Sequence, residues 1–188
     1  GRSILLSAGG QAERNYPAAT PDNFAAAIGH LGAIIDPNED LVVIFITSHG
    51  QSDGVVAIRE HNRLLSGLRP AHLSTMLSQA NIRNRVVIVS ACFSGAFIAP
   101  LANENTIVMT AAAPDRSSFG CQPQNNWTFF GDAYFNQSVR NGGDMVAAFD
   151  NAKRLISRWE REQNLSPPSN PQIFVGSRAA AMLRQAER

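Results

Sequence analysis

The chain has 188 residues, of which 44% are hydrophobic and 16% charged, and its formal net charge is +1. This length fits one domain, and the composition excludes an intrinsically disordered chain, which has few apolar residues and a high net charge. The small net charge excludes binding to nucleic acid or to an anionic membrane by charge alone, and no apolar run is long enough to span a membrane.

Apolar runs and helical patterns alternate along the chain and predict a three-layer α/β sheet in one domain. The predicted elements in chain order are a strand (3–8), a helix (22–35) capped by Thr20, a strand (41–46), a small hairpin (55–58), a helix (70–80), two strands (86–89, 106–110), two helices (129–139, 144–161) and a last short strand (172–175). The runs at 41–46, 86–89 and 106–110 are continuously apolar, which is typical of parallel strands buried on both faces.

A histidine and a cysteine each follow one of these buried strands. His49 comes just after residues 41–46, and Cys92 comes just after residues 86–89. One right-handed crossover through the helix at 70–80 makes these two strands parallel neighbours. Because the active sites of open α/β sheets lie at the carboxyl ends of the strands, we expect the imidazole and the thiol to face the same crevice.

This pair of residues favours a thiol hydrolase. A thiolate is a reactive nucleophile, and a nearby His49 can share the thiol proton and later protonate a leaving amine. Gly50 has no side chain to shield its N–H, so the N–H groups of Gly50 and Cys92 are predicted to form a two-donor oxyanion hole. Taken singly, such a cysteine is more often a buried small hydrophobe, and such a histidine is more often structural. The joint pattern is what indicates catalysis.

The remaining residues indicate no other chemistry. The histidines and cysteines lack metal-ligand spacing, so no metal and no cofactor are expected. Cys121 is predicted to be a buried thiol, and the charged stretch 153–161, with Glu160, is predicted to be a solvated, ion-paired helix face. An α/β-hydrolase with a cysteine nucleophile is rejected, because that fold needs its histidine after the nucleophile and none follows Cys92.

The chain resembles the legumain family of cysteine peptidases, which is the C13 family of the caspase-like clan, and its small bacterial members in particular. Four segments carry the resemblance in order: LVVIFITSHG at 41–50, VVIVSACFSG at 86–95, TAAAPDRSSFGC at 110–121 and FFGDAY at 129–134. The resemblance implies a three-layer caspase-like sandwich with a mostly parallel central sheet. It also implies a cysteine endopeptidase that acts on a peptide or protein substrate.

The resemblance assigns roles to single residues. It implies a catalytic dyad of His49 and Cys92, with the Gly50 backbone in the oxyanion hole. It places Asp132, Ser117 and Ser118 in the pocket that reads the residue before the scissile bond. A carboxylate there suits a carboxamide side chain, so cleavage after Asn, or Asp, is expected.

Two departures from the family pattern modify these expectations. Ser90 stands where strictly asparagine-specific members carry a glutamate, so the pocket is expected to accept other residues as well. The resemblance also begins at the family's second strand, and the chain starts at Gly1 without Met. We therefore expect the family's first strand and helix to be supplied by a second chain or by a segment outside this sequence, with the strand next to residues 3–8.

Two alternatives stay open at this point. The same dyad could deliver the acyl group to an amine, which would make the protein a transpeptidase or transamidase. A non-catalytic caspase-like binding domain is the other alternative, and it predicts that His49 and Cys92 lie too far apart to share a substrate.

Overall fold

The computed structural model describes residues 3–8, 15–60, 63–122, 124–142 and 144–187. Its strands are β1 (Val42–Thr47), β2 (Val56–Glu60), β3 (Arg63–Leu68), β4 (Arg85–Ser90), β5 (Thr106–Thr110) and β6 (Gln172–Val175). Its helices are α1 (Pro21–Ile34), α2 (Pro70–Gln79), α3 (Ile98–Leu101), α4 (Phe129–Gly131), α5 (Met145–Glu162) and α6 (Ser177–Ala186).

The centre of the fold is a four-stranded sheet in the order β1-β4-β5-β6. The first three strands are parallel, and β6 runs antiparallel to β5. The strands β2 and β3 form a separate antiparallel hairpin. The strands predicted to be parallel neighbours, at 41–46 and 86–89, correspond to β1 and β4, and these two pair in parallel as expected.

Helices cover both faces of this sheet. One core lies between the sheet and α1, α2 and α3, together with the hairpin. The other core lies between the sheet and α5, α6 and the segment around α4. The three-layer α/β prediction is confirmed. None of the helices among the described residues has both the length and the apolar composition of a transmembrane span.

The helix α1 shows how closely local signals set an element boundary. Thr20 is its N-cap, with its side-chain oxygen accepting from the Asn23 N–H, and Pro21 occupies the first turn, where its missing N–H costs nothing. Ile28 is its buried residue, and Phe24 and Leu31 pack against the same core. These features place the predicted helix within one residue of the observed one.

The three parallel strands differ in burial. All residues of β4 and β5 are buried, as predicted. In β1 only alternate residues are buried, because Val43 and Phe45 are 51% and 46% exposed. The prediction that β1 is buried on both faces is wrong. On its second face the Phe45 ring lies 4.9 Å from the Phe135 ring, and among the described residues no long helix covers this face.

Two other predictions need correction, and one helix was not predicted. Residues 3–8 do not form a strand of the sheet; Ser7 bonds instead to the backbone of Pro17 and Ala19. The predicted helix at 129–139 is divided into α4, a π-helical turn (Asp132–Asn136) and a 3-10 turn (Val139–Asn141). The helix α6 has no counterpart in the prediction, although the spacing of its buried residues, Ala179, Ala180 and Leu183, follows a helical period.

Candidate active site

The segment that carries His49 continues β1 and is held by the hairpin. Ser48 N–H donates to the Ser90 carbonyl at 3.3 Å, so the parallel ladder with β4 extends one residue past β1. On the other side, the His49 carbonyl accepts from the Ala57 N–H at 2.8 Å, and the Ser48 hydroxyl donates to the Ala57 carbonyl at 2.6 Å. The backbone of His49 is therefore fixed from two directions, while its imidazole is exposed.

Gly50 lies directly against the backbone of Cys92. A Cβ atom built on Gly50 would lie 1.9 Å from the Cys92 carbonyl oxygen and 3.2 Å from its nitrogen. Thr47 pairs with Ser90, so Gly50 and Cys92 are three and two residues past the same rung of the sheet. Glycine is required here because two backbones approach each other closely, which is a steric reason and not a conformational one.

The chain turns sharply after Cys92. Phe93 has a φ of 57° and a ψ of 15°, the left-handed conformation that a bulky residue rarely adopts. Backbone strain of this kind costs of order 1–3 kcal/mol and persists only where the surroundings impose it. Here Phe93 N–H donates to the Arg116 carbonyl at 2.7 Å, and Gly95 leaves room for the Pro114 nitrogen, 2.5 Å from where its Cβ would be.

The Cys92 sulfur faces Ser118. Ser118 N–H donates to Sγ at 3.3 Å, and the Ser118 carbonyl and hydroxyl oxygens lie 3.5 and 3.6 Å from it. The sulfur therefore contacts both the backbone and the side chain of Ser118. Ser117, its neighbour in the predicted pocket, is exposed.

Two N–H groups at this edge of the sheet are available to a ligand. Within the described part of the chain, neither the Gly50 N–H nor the Cys92 N–H donates a hydrogen bond. Both belong to residues whose backbones are in contact. Unpaired donors at this position are what a developing oxyanion requires.

A cavity of about 370 Å³ opens beside His49. Its walls come from the end of β1 and from the irregular segment before α4, and include Phe45, Gly120, Cys121 and Trp127. Cys121 is exposed, so the prediction of a buried thiol is wrong. The described residues around it, 122 and 124–127, are exposed as well, and Cys121 lies on the cavity wall.

Ser90 and Asp132 do not line this cavity, but each is next to a residue that does, Thr128 and Gly131 respectively. The Ser90 hydroxyl is 3.1 Å from the Thr128 hydroxyl, and Thr128 caps α4 by accepting from the Gly131 N–H at 3.0 Å. Asp132 follows directly, and its carboxylate accepts from the side-chain amides of Asn136 at 2.8 Å and Gln137 at 2.7 Å. Both carboxylate oxygens thus already accept from carboxamide N–H donors of the same segment.

Sequence reasoning missed the burial of one carboxylate on α5. Glu160 is only 2% exposed and accepts from the backbone N–H of Ser169 at 2.9 Å. The prediction of a solvated face is wrong for this residue, because the loop at 166–171 folds over the end of α5. Among the described residues, no three His, Cys, Asp or Glu side chains cluster as metal ligands would.

The Peptidase C13 family matches residues 10–175. The chain belongs to this family. No curated protein matches the sequence.

Solved caspase structures share its fold. Caspase-1 from Spodoptera frugiperda is 11% identical, with a TM-score of 0.61 over 86% of this chain and 69% of the other. A structure described as pro-sf-caspase-1 is 10% identical, with a TM-score of 0.59 over 85% of this chain and 70% of the other. The caspase-like fold predicted from the four segments is confirmed, and family and fold together support a cysteine peptidase.

Proposed function

We propose that this member of the C13 family is a cysteine endopeptidase in which Cys92 is the nucleophile and His49 the general acid and base. The observation that supports this most directly is the contact of the Gly50 and Cys92 backbones, with both N–H groups free, beside an exposed imidazole. Such an arrangement brings a nucleophile, a proton carrier and an oxyanion hole to one edge of the sheet.

The reaction proceeds in two steps. The Cys92 thiolate attacks the carbonyl carbon of the scissile bond, and the electron pair of the carbonyl moves to its oxygen, which accepts from the N–H groups of Gly50 and Cys92. The C–N bond then breaks as protonated His49 gives its proton to the leaving amine. Water attacks the resulting thioester, His49 takes its proton, and the thiolate leaves.

Between His49 and Cys92 no hydrogen bond is present in the described structure. The histidine instead lines the cavity, while the sulfur faces Ser118. We propose that the scissile peptide lies between the two side chains, so that His49 meets the leaving nitrogen and Cys92 the carbonyl carbon. Hydrogen bonds of this kind are often long or absent until substrate binds.

For specificity we propose a pocket for a carboxamide side chain, formed by Asp132, Ser90, Ser117 and Ser118. Each Asp132 carboxylate oxygen accepts one bond, from Asn136 or Gln137, and retains a further lone pair for a substrate carboxamide. The small Ser90 side chain leaves the pocket with one carboxylate fewer than a glutamate would supply. Preference for Asn over other residues is then moderate and not strict.

We further propose that a strand from a second chain, or from a segment outside this sequence, pairs with the outer edge of β1. Within the described residues, β4 is the only strand paired with β1, and Val43 and Phe45 are about half exposed. An open edge next to exposed apolar side chains favours the addition of a strand. That strand would also cover one side of the cavity beside His49.

A peptide-library digest tests the proposed function. Purified protein is expected to cleave, with Asn enriched before the cut, and Cys92→Ala is expected to abolish cleavage while leaving the thermal unfolding midpoint within a few degrees. Cleavage by Cys92→Ala at an undiminished rate would contradict the proposal, and no cleavage by either protein would favour a binding domain.

The same assay separates hydrolysis from acyl transfer. With hydroxylamine added, a peptidase still yields mainly free carboxylates, whereas a transpeptidase yields mainly hydroxamates, and mass spectrometry distinguishes the two products. A majority of hydroxamate at millimolar hydroxylamine would replace the endopeptidase with the transferase.

A further inference from the structure

Glu160 is the one carboxylate among the described residues whose side chain is buried. Its Oε1 atom accepts from both the backbone N–H and the hydroxyl of Ser169, which is itself 1% exposed. Among the described residues no cation forms an ion pair with Glu160. Burying a carboxylate without a counter-charge costs free energy unless it accepts hydrogen bonds. Because both of its described bonds come from Ser169, Glu160 holds Ser169 firmly in place.

Ser169 in turn holds the loop that leads to the sulfur. Its carbonyl accepts from the Ala113 N–H at 2.8 Å, just after β5 ends. The Ala113 carbonyl accepts from the Arg116 N–H at 3.1 Å and so closes a turn. A side chain on α5 is thereby connected through backbone bonds to the start of the segment 113–118.

The far end of this segment contacts the nucleophile. The Arg116 carbonyl accepts from Phe93 N–H at 2.7 Å, and Ser118 N–H donates to the Cys92 sulfur at 3.3 Å. The first bond holds Phe93 in its left-handed conformation, which aims the Cys92 side chain. The second bond presents a donor to the sulfur itself.

We propose that Glu160 is a positioning residue for the Cys92 thiol, acting through Ser169 on the loop at 113–118. This inference rests on the proposed function of Cys92 as the nucleophile. Loss of the Glu160 acceptor would release Ser169, loosen the turn at Ala113 and shift Ser118 relative to the sulfur. Small displacements of a group that contacts reacting atoms lower the rate of the chemical step far more than they lower substrate binding.

The test uses variants in a Cys121→Ser background, in which Cys92 is the only thiol. Glu160→Leu removes the acceptor, Glu160→Gln retains one carbonyl oxygen of the same reach, and Ser169→Ala removes only the hydroxyl donor. Glu162→Gln is the matched control, because Glu162 is exposed on the same helix. For each protein, kcat and KM are measured on an Asn peptide, and the rate of Cys92 alkylation by iodoacetamide is followed by intact mass.

Glu160→Leu is expected to lower kcat by about ten- to hundredfold with a much smaller change in KM. It is also expected to slow alkylation of Cys92 by roughly threefold or more, because Ser118 N–H no longer holds the sulfur in its present position. Glu160→Gln should restore most of both rates, Ser169→Ala should fall between, and Glu162→Gln should match the background protein.

Equal alkylation rates and equal kcat in Glu160→Leu and the background, with only a lower melting temperature, would overturn the proposal. Should Glu160→Leu fail to fold, Ser169→Ala decides, since background rates in that variant would also overturn it. The alkylation readout separates this inference from the proposed function. If the protein cleaves no peptide but Glu160→Leu still lowers the reactivity of Cys92, the positioning role of Glu160 stands and the proposed peptidase function is wrong.

Discussion

The two halves of the candidate site are held in very different ways. Cys92 and Phe93 are half-buried, and bonds from Phe93 and Ser118 fix the turn and the sulfur. His49 lies at the end of β1, a strand with half-exposed side chains, and its imidazole is exposed. On the Cys92 side the sulfur itself is bonded, whereas on the His49 side the bonds to β4 and the hairpin reach only the backbone and Ser48.

The largest effect on activity is expected from a change at the contact between Gly50 and Cys92, where the two halves of the site meet. Gly50→Ala places a methyl group against the Cys92 carbonyl, so the two backbones must separate and the oxyanion donors move apart. Loss of an oxyanion donor lowers kcat by about 10²–10³-fold. Steady-state kinetics on the library-derived peptide measure this effect.

A matched glycine serves as the control. Gly29→Ala lies within α1 with nothing within 4 Å of the added methyl, so activity should be unchanged. Its stability should rise by about 0.5–1 kcal/mol, since alanine is the better residue inside a helix. A Gly50→Ala variant as active as Gly29→Ala would mean that the two halves do not act together.

Specificity is the next largest effect. Asp132→Asn is expected to lower kcat/KM for an Asn peptide by about ten- to hundredfold, because a charge-assisted hydrogen bond is lost, and to affect an Ala peptide much less. Asn136→Ala removes a competing donor from the carboxylate and should lower KM for the Asn peptide.

The exposed Asp150 on α5 provides the charge-matched control through Asp150→Asn. Parallel kinetics with the two peptides separate the possibilities. An Asp132→Asn variant that weakens both peptides equally would remove this residue from the specificity pocket.

The difference between β1 and β4 can be measured without substrate. Amides of β1 that face away from β4 should exchange with solvent faster than those of β4 and β5, since no described strand accepts from them. Hydrogen–deuterium exchange read by mass spectrometry compares the strands directly. Protection of β1 should rise in a longer chain or complex that supplies the additional strand, and protection of β1 already equal to that of β4 would contradict the open edge.

The smallest effect concerns the packed side of the molecule. Burial, together with the charges of Glu187 and Asp144, raises the pKa of the Tyr134 phenol. The neutral phenol is therefore favoured in the folded state, and its contribution to stability is fully present below the unfolded pKa of about 10. As the pH rises above that value, the unfolded state releases the proton first, so the stability falls.

Tyr134→Phe should lack this loss of stability at high pH. Between pH 9 and 11 the wild type should lose about 1 kcal/mol more of its free energy of unfolding than Tyr134→Phe does. Urea denaturation at both pH values measures the difference. The variant also lacks the hydroxyl bond to the Met145 carbonyl, which changes the free energy of unfolding equally at pH 9 and pH 11. The test is therefore the difference in free energy of unfolding between the two pH values. Identical differences in the two proteins would contradict the raised pKa.

The elements predicted best from sequence were those whose burial depends on their own residues. The continuous apolar runs of β4 and β5 and the capped helix α1 were confirmed almost residue for residue. The placement of His49 and Cys92 followed from strand order and the rule for carboxyl ends of parallel strands. The resemblance to the family rested on motifs such as SHG and ACFSG.

Other features depended on tertiary contacts that no local pattern contains. Burial of Glu160 requires the loop at 166–171 to fold over α5, and exposure of β1 depends on which helices reach it. The predicted helix at 129–139 contains a π-helical turn in which Gln137 N–H donates to the Asp132 carbonyl at 2.9 Å. The spacing of apolar residues in this part of the sequence does not indicate such a turn.

A double-mutant cycle on His49 and Cys92 tests the central claim most directly. Residues that act as one catalytic unit are strongly non-additive, so His49→Ala, Cys92→Ala and the double variant should all reduce kcat/KM to nearly the same low level. A double variant whose loss equals the product of the two single losses would contradict the account, because the imidazole and the thiol would then act independently.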